Sequence, residues 1–310
     1  MREKLKLGPA IALEFRIVNM RPVFNWNLGD RSLELGKRTL VMGIVNVTPD
    51  SFSDGGKHFS AEQAIAHALK LQDDGADILD VGGESTRPGA KVGLKDAAVS
   101  VADELQRVLP VIAGLKRAKP EAIVSVDTYK ARVAQAAVES GAEIVNDVSG
   151  LQWDPEMTAA LAKLNCGLVL MHARGRPDEW ASLPTVSDLV TLVKRELRER
   201  ADKAITSGIK RDRIAIDPGF GFGKRNEENY PLLRRFHEFH ELRFSLVAGM
   251  SRKSFIAHAL MRNGRRLETA DRLFGTLGAE VAAALKGAHI IRTHDVKACV
   301  EAVRLADIAV

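Results

Sequence analysis

The sequence predicts an eight-stranded parallel α/β barrel, (β/α)8, preceded by a short β extension, and three observations carry that expectation. Eight short apolar runs alternate with helical patterns over roughly 270 residues, the size and repeat number of such a barrel. The runs are apolar throughout rather than alternating, as strands of a parallel sheet covered on both faces are. No linker or shift in composition separates the repeats, so one closed domain over residues 39–310 accounts for them. An open doubly wound sheet fits less well, because no Gly-x-Gly-x-x-Gly turn opens a helix after the first strand.

Residues 1–38 stand outside the repeat. Phe15–Asn19 and Arg31–Leu35 alternate polar with apolar residues around a turn-rich stretch holding Asn25, Asn27, Gly29 and Asp30. A β-hairpin that caps the bottom of the barrel is expected there. The barrel begins at Leu40–Val45, which breaks at Asn46 into a loop dense in turn formers, with Pro49 and Gly55-Gly56. Ala61, Ala64, Ile65, Ala68, Leu69 and Leu71 recur at helical spacing until Gly75. Ile78–Val81 is the second strand, ending in Gly82-Gly-Glu-Ser-Thr-Arg-Pro-Gly89, and Val101, Leu105, Val108, Ile112 and Leu115 make the next helical stripe.

Ile123–Val126 ends at Asp127, and a helix through Val133, Ala137 and Val138 stops at Gly141. Ile144-Val145 leads to Asn146-Asp147, with Met157, Leu161 and Leu164 marking the following helix. Leu168–Leu170 ends at Met171-His172, before a charged helix over 187–207 that Gly208 terminates. Ile214–Ile216 ends at Asp217-Pro-Gly-Phe-Gly-Phe-Gly-Lys224, and Leu246–Ala248 ends at Gly249-Met-Ser-Arg-Lys253. Two helical segments follow, the second with Leu273, Leu277, Val281 and Leu285 on one face. His289–Ile291 ends at Arg292-Thr-His-Asp295, and a last helix carries Val296, Val300 and Val303.

The bulk composition excludes several classes. The chain of 310 residues is 45% hydrophobic and 27% charged, enough to bury a large core. Two cysteines without framework spacing argue for a reduced, cytoplasmic protein. No run approaches the ~18 apolar residues of a membrane span. The net charge of +5 is spread along amphipathic helices without an aromatic-basic motif, so a solvated surface and an anionic small molecule account for it better than nucleic acid does.

What each strand stops on is the chemical signal. Barrel topology gathers Asn46, Glu84, Asp127, Asn146, Met171, His172, Asp217, Gly249, Ser251, Arg292 and His294 at one rim. A single Asp or Asn after a strand is ordinarily a helix cap; nearly every strand ending this way is a site. Asp127, Asn146 and Asp217 form an acceptor-rich set suited to a planar ligand with several N–H donors, such as an amino-pyrimidine edge. Arg87, Lys224, Lys253, Arg292 and His294 form a cationic set among Ser-, Thr- and Gly-rich loops, as phosphate sites do. Together they call for a nitrogen heterocycle with an anionic, phosphorylated tail.

The motifs resemble those of the dihydropteroate synthase family over residues ~39–305. The resemblance rests on Asn46-Val-Thr-Pro-Asp-Ser-Phe-Ser-Asp-Gly-Gly56, Gly82-Gly-Glu-Ser-Thr-Arg-Pro-Gly-Ala90, Ser125-Val-Asp-Thr128 and Asn146-Asp-Val-Ser-Gly150. It continues through Asp217–Lys224, Ser251-Arg-Lys-Ser-Phe255 and Arg292-Thr-His-Asp-Val296. It implies a Mg²⁺-dependent transferase of folate biosynthesis that condenses 6-hydroxymethyl-7,8-dihydropterin diphosphate with 4-aminobenzoate. By the same resemblance Asp127, Asn146 and Asp217 hold the pterin, with Lys253 and Arg292 packed against it. Asn46 contacts the metal, and Arg292 and His294 hold the diphosphate. Thr86, Arg87, Phe222 and Ser251 frame the aminobenzoate, and Phe52 and Asp54 lie in a covering loop. Met171, Gly249 and Thr293 complete the candidate substrate contacts, and a homodimer is implied.

Three segments depart from the family pattern. Met171-His-Ala-Arg-Gly-Arg-Pro177 has a basic interior followed by Trp180, Thr276 stands where Ser is usual, and Lys91-Val-Gly-Leu-Lys95 is less acidic than typical. These bear on loop detail and sulfonamide response rather than on the reaction. His58, His67, His237, His240 and His258 match no metal spacing and are expected at the surface. Cys166 and Cys299 are expected to be inert, and Asp147 to act as a cap. A corrinoid methyltransferase using methyltetrahydrofolate would share the pterin acids, but would not need the cationic set. A non-catalytic pterin-binding paralogue would have lost Asn46, Lys253 or His294.

Overall fold

A computed structural model describes residues 21–47, 61–85, 99–261 and 263–309. It forms a closed barrel of eight parallel strands: β3 Leu40–Asn46, β4 Ile78–Gly82, β5 Ile123–Asp127, β6 Ile144–Asp147, β7 Gly167–Met171, β8 Ile214–Asp217, β9 Ser245–Gly249 and β10 Ile290–Thr293. The strands stand in sequence order, and β10 pairs β3 to close the ring. Helices α1 Ala61–Asp73, α2 Val101–Ala118, α3 Ala131–Glu139, α4 Met157–Lys163, α5 Leu189–Thr206 and α6 Asn229–Arg234 follow β3 to β8. Two helices, α7 Ser254–Ala259 and α8 Leu273–Leu285, connect β9 to β10, and α9 Val296–Ile308 follows. The (β/α)8 expectation is met.

The alternation of side chains across each strand organises the molecule. One parity packs outward beneath the helices, including Val41, Val45, Leu79, Val81, Val124, Val126, Leu168, Leu170, Ile214 and Ile216. The other parity points inward. At the bottom it is apolar, with Met42, Ile78, Ile144, Val169, Ala215, Val247 and Ile290 in one cluster. Continuing each inward row upward reaches Asn46, Asp80 and Gly82, Asp127, Asn146, Met171, Asp217, Gly249 and Arg292. The same strands therefore build a dry floor and a polar mouth.

A hairpin seals the floor. Strands β1 Phe24–Asn27 and β2 Ser32–Leu35 pair antiparallel, and Trp26, Leu28 and Leu35 join the bottom cluster. The Trp26 indole N–H donates to the Arg213 carbonyl at 2.8 Å, so its polar edge is satisfied while its rings are buried. Gly167 opens β7 because a Cβ there would come within 2.6 Å of Leu28 Cδ2. The arms differ from the sequence expectation. Asn25 and Asn27, expected in a turn, are strand residues paired to Glu34 and Ser32, and Phe15–Asn19 lies outside the described residues.

In helix α8 the stripe Leu273, Leu277, Val281 and Leu285 shares one face, and the residues buried beside it are Thr276, Glu280, Ala283 and Ala284. The leucine stripe stays half-exposed, beside Phe274 at 84% exposure. Gly208 ends α5 as expected, with a positive φ and the Ile209 N–H reaching back to the Ala204 carbonyl.

Candidate functional site

Strand register sets the site's geometry. Asn46, Gly82 and Asp127 lie side by side across β3, β4 and β5, and Asp127 is paired with Asn146 on β6. Met171 is level with Asp217, and Gly249 with Arg292. Residues separated by up to 246 positions thus form one ring at the C-terminal ends of the strands.

Arg292 is the hub. Its Nε donates to Asp80 Oδ2 and its Nη2 to Asp127 Oδ2, both at 2.6 Å, and Asn146 Nδ2 donates to Asp80 Oδ2 at 3.0 Å. Asp80 therefore fixes the orientation of two neighbours. With its amide nitrogen engaged, Asn146 presents Oδ1 as an acceptor. Asp80 is fully buried, and its Oδ1 has no hydrogen-bond partner among the described residues. Asp80 is hidden in the sequence because it sits inside an apolar run; the parity of Ile78, Asp80 and Gly82, all inward, is the signal for it.

Burial controls the protonation of these groups. It pushes the Asp127 carboxyl up to about 7 against the opposing Arg292 guanidinium. It raises Asp217 as well, which Lys253 opposes. It lowers the Lys253 ammonium to about 8, with Asp217 holding it up. Asp217 Oδ1 accepts from the Gly219 N–H at 2.7 Å, while Oδ2 lies 3.7 Å from where a Cβ on Gly249 would stand. Lys253 Nζ donates to the Phe220 carbonyl at 2.6 Å and sits 4.6 Å from the Phe222 ring centroid.

The loop after β8 explains that arrangement. A Cβ at Gly219 would stand 1.9 Å from the His172 carbonyl oxygen, and at Gly223 2.3 Å from that of Arg174, both at positive φ. Only glycine permits the tight coil that brings Phe222 over the mouth. Lys224 is not in the cationic set expected of it. Its Nζ is buried, donating to the carbonyls of His172, Gly219 and Phe222 at 3.1, 2.7 and 3.1 Å, and burial lowers it well below the ordinary lysine range. It is the loop's internal tie.

The loop after β9 is held from behind. Arg252, at φ 58°, makes a two-point pair with Asp295 at 2.9 and 2.5 Å, and its N–H donates to Thr276 Oγ1 at 3.0 Å. Ser251 Oγ accepts from the His294 N–H at 3.1 Å and lies 3.0 Å from His294 Nδ1. Ser251 and His294 therefore form one unit at the rim, next to Lys253. Thr293, expected to contact substrate, directs its side chain outward: its Oγ1 donates to Ser251 Oγ at 3.3 Å and accepts from the Asp295 N–H.

Several other expectations change on contact with the structure. His172 is fully buried on the helix side, with Nε2 3.0 Å from Glu196, and takes no place in the mouth. His240 is half-buried, edge-on to His289 at 5.5 Å, rather than at the surface. Asp147, by contrast, caps its own loop as expected, accepting from Ser149 and Leu151 N–H groups at 2.8 Å each. Trp180 packs edge-on against Phe222 at 5.4 Å, within a rim cluster of Tyr129, Val148, Trp153, Met171 and Ala173. Phe52, Asp54, Thr86 and Arg87 lie outside the described residues.

An ion cluster missed by the sequence reading flanks that last segment. Lys130 Nζ binds Glu84 at 2.5 Å and also Glu104, and Glu84 Oε1 accepts from the Val99 N–H at 3.3 Å. It ties together the two margins of residues 86–98. Nothing in spacing marks Glu104, on α2, or Lys130, at the residue before α3.

Asn46 is half-buried at the end of β3. No group of three His, Cys, Asp or Glu side chains converges on a metal position among the described residues.

The comparisons with known proteins agree with this geometry. Residues 42–294 match the family described as pterin binding enzyme. Dihydropteroate synthase of Escherichia coli K12 is 45% identical over 267 residues, covering 86% of this chain and 90% of the relative. The Bacillus subtilis enzyme of that name is 41% identical over 277 residues, with 89% and 90% covered. A structure of Xanthomonas albilineans dihydropteroate synthase with 4-aminobenzoic acid superposes with a TM-score of 0.80 at 45% identity, over 90% and 95% of the two chains. That enzyme in complex with 7,8-dihydropteroate gives 0.76 at 42% identity, over 88% and 94%. With eight strands, an inward acid-amide-cation ring and a family match spanning most of the barrel, the chain belongs to the pterin binding enzyme family.

Proposed function

We infer that the chain is a dihydropteroate synthase, a transferase that joins 6-hydroxymethyl-7,8-dihydropterin diphosphate to 4-aminobenzoate and releases diphosphate. The observation that carries this reading is Arg292, bridging Asp80 and Asp127 at the mouth, with Lys253 and the Ser251–His294 unit beside it. The acceptors and Arg292 lie on the strands, whereas Lys253 and His294 follow the strand ends, the polarity a pterin with a diphosphate arm requires.

In this reading Asp127, Asn146 Oδ1 and Asp217 accept the N–H donors of the pterin edge, and the side-chain-free faces of Gly82 and Gly249 leave room for its plane. Lys253 and Arg292 flank it, and Arg292 and His294 hold the diphosphate. The bond that breaks joins the pterin methylene to a diphosphate oxygen; the bond that forms joins that carbon to the aniline nitrogen. That nitrogen is neutral at pH 7, so no general base need deprotonate it before attack. Cleavage running ahead of attack leaves positive charge on the pterin, which Asp127 and Asp217 offset, while Lys253, Arg292 and His294 stabilise the departing anion. Phe222, with Trp180 behind it, and Ser251 frame the aminobenzoate.

Mg²⁺ fits the residues present. Asn46 offers a hard oxygen at the mouth, and its carboxamide makes no hydrogen bond with another described residue. The ion commonly binds through substrate phosphate and water with few protein ligands, so one amide suffices. When bound it would supply Lewis-acid neutralisation of the diphosphate.

The half-exposed stripe of α8, with Phe274, together with Leu305 and Ile308 of α9 at 70% and 82% exposure, supports a homodimer through these helices. The two cysteines are free and buried, in keeping with a cytoplasmic setting, and among the described residues no helix is long and apolar enough to cross a membrane.

The test is diphosphate release measured with both substrates and Mg²⁺. Release should require 4-aminobenzoate, and Asp217→Asn should weaken affinity for the pterin diphosphate and slow turnover. Release independent of the aminobenzoate, or full turnover and affinity in Asp217→Asn, would overturn the reading.

A further inference from the structure

The coil that follows β8 serves both proposed substrates, with Asp217 at its start and Phe222 over the mouth, and one buried amine stands inside it. Lys224 Nζ donates to the carbonyls of Gly219, His172 and Phe222 at 2.7, 3.1 and 3.1 Å. Those three acceptors match the three protons of an ammonium, whereas a neutral amine would turn its lone pair on one of the carbonyl oxygens. Asp217 favours that charge, against burial and the cations Lys253, Arg200 and Arg174.

Each bond constrains a different part of the coil. The Gly219 N–H donates to Asp217 Oδ1 at 2.7 Å, so the bond to the Gly219 carbonyl fixes the residue that orients the acid. The Phe222 N–H donates to that same Gly219 carbonyl at 3.2 Å, and the Phe222 carbonyl accepts from Lys224. Both ends of the Phe222 backbone are thus tied, directly or through Gly219, to one ammonium. The third bond joins the coil to the segment after β7, where the His172 N–H also donates to the Asp217 carbonyl at 2.8 Å. Asn229 holds the middle of the coil, accepting from the Gly221 N–H at 2.7 Å. Gly219, Gly221 and Gly223 sit at positive φ of 68°, 80° and 65° and bring no side chains to pack. Glycine gives up the most backbone freedom on ordering, so the shape of the coil depends on polar ties of this kind.

We propose that Lys224 is a positioning residue for both halves of the reaction, its buried ammonium holding Asp217 against the pterin and Phe222 against the aminobenzoate. It touches neither substrate. Its effect on turnover rests on the reading of this chain as a dihydropteroate synthase; its hold on Phe222 does not. A residue that acts only through two others has a recognisable signature: its loss matters while they are present and is silent once they are gone.

The experiment is a pair of double-mutant cycles in the full-length protein. Lys224→Met, which keeps an apolar stem and removes the charge, should lower kcat/KM for 4-aminobenzoate by about 100-fold and weaken pterin diphosphate binding in calorimetry. In a Phe222→Ala background it should leave the KM for 4-aminobenzoate unchanged, and in Asp217→Asn it should leave pterin affinity unchanged. Native constants in Lys224→Met, or additivity in either cycle, would overturn the proposal. Loss of fold in both Lys224→Met and Lys224→Gln, read by circular dichroism, would also overturn it and make Lys224 a scaffold residue. If Lys224→Met alone misfolds, Lys224→Gln enters the same cycles. Without substrate, the NMR shifts of the Phe222 ring, assigned by Phe222→Leu, should move in Lys224→Met; unmoved shifts would sink the idea. If the native protein shows no synthase turnover while Lys224→Met moves those shifts, the functional reading falls and the positioning stands.

Discussion

Asp80 acts on the site through two neighbours at once, orienting Asn146 and sharing Arg292 with Asp127. Removing it leaves a buried amide donor unpaired and a guanidinium with half its compensation. Asp80→Ala should therefore lower unfolding free energy by about 3 kcal/mol and, by letting Arg292 and Asn146 drift, slow turnover by about 100-fold. Denaturant unfolding and steady-state kinetics would check the two halves separately. At this scale the sequence was informative where chemistry and position coincided. Asp127, Asn146, Asp217, Lys253 and Arg292 each end a strand or begin its loop, so topology alone gathers them. It was less informative where residue type is ambiguous. Lys224 is a cation by type but a backbone tie by environment, and Thr293 shares its motif with Arg292 yet faces the opposite side of the strand.

Elements were read well where one period dominates. Each barrel strand is buried on both faces and therefore apolar almost throughout, and every barrel strand expected from the sequence is present within about two residues of its bounds. The hairpin was harder, because Trp26 and Leu28, which anchor it, lie within a stretch of Asn and Gly that resembles a turn. Trp26 fills the barrel floor, so Trp26→Ala should cost about 3–5 kcal/mol of unfolding free energy while leaving catalytic constants at 25 °C close to native. A matched loss of activity in protein that is still fully folded would mean that the floor is coupled to the mouth. Helix α8 shows the limit of a stripe argument: Leu273, Leu277, Val281 and Leu285 share a face that is only partly buried, while Thr276, which accepts from the Arg252 N–H, and Glu280 are fully buried beside it.

Among the described residues, the adjoining helices α8 and α9 carry four of the exposed large hydrophobic side chains, Phe274, Leu285, Leu305 and Ile308. If two copies meet there, Phe274→Asp combined with Leu305→Asp should convert a dimer to a monomer of unchanged fold, as sedimentation velocity and circular dichroism would show. A native protein already monomeric at micromolar concentration would rule this arrangement out.

The hairpin beneath the strands has one more consequence. With Trp26, Leu28 and Leu35 packed into its base, the barrel is a cup and not a tube. Everything exchanged with solvent must cross a single brim. Two reactants and two products share that one doorway, and whatever settles nearest Asp80 is shut in by whatever arrives after it.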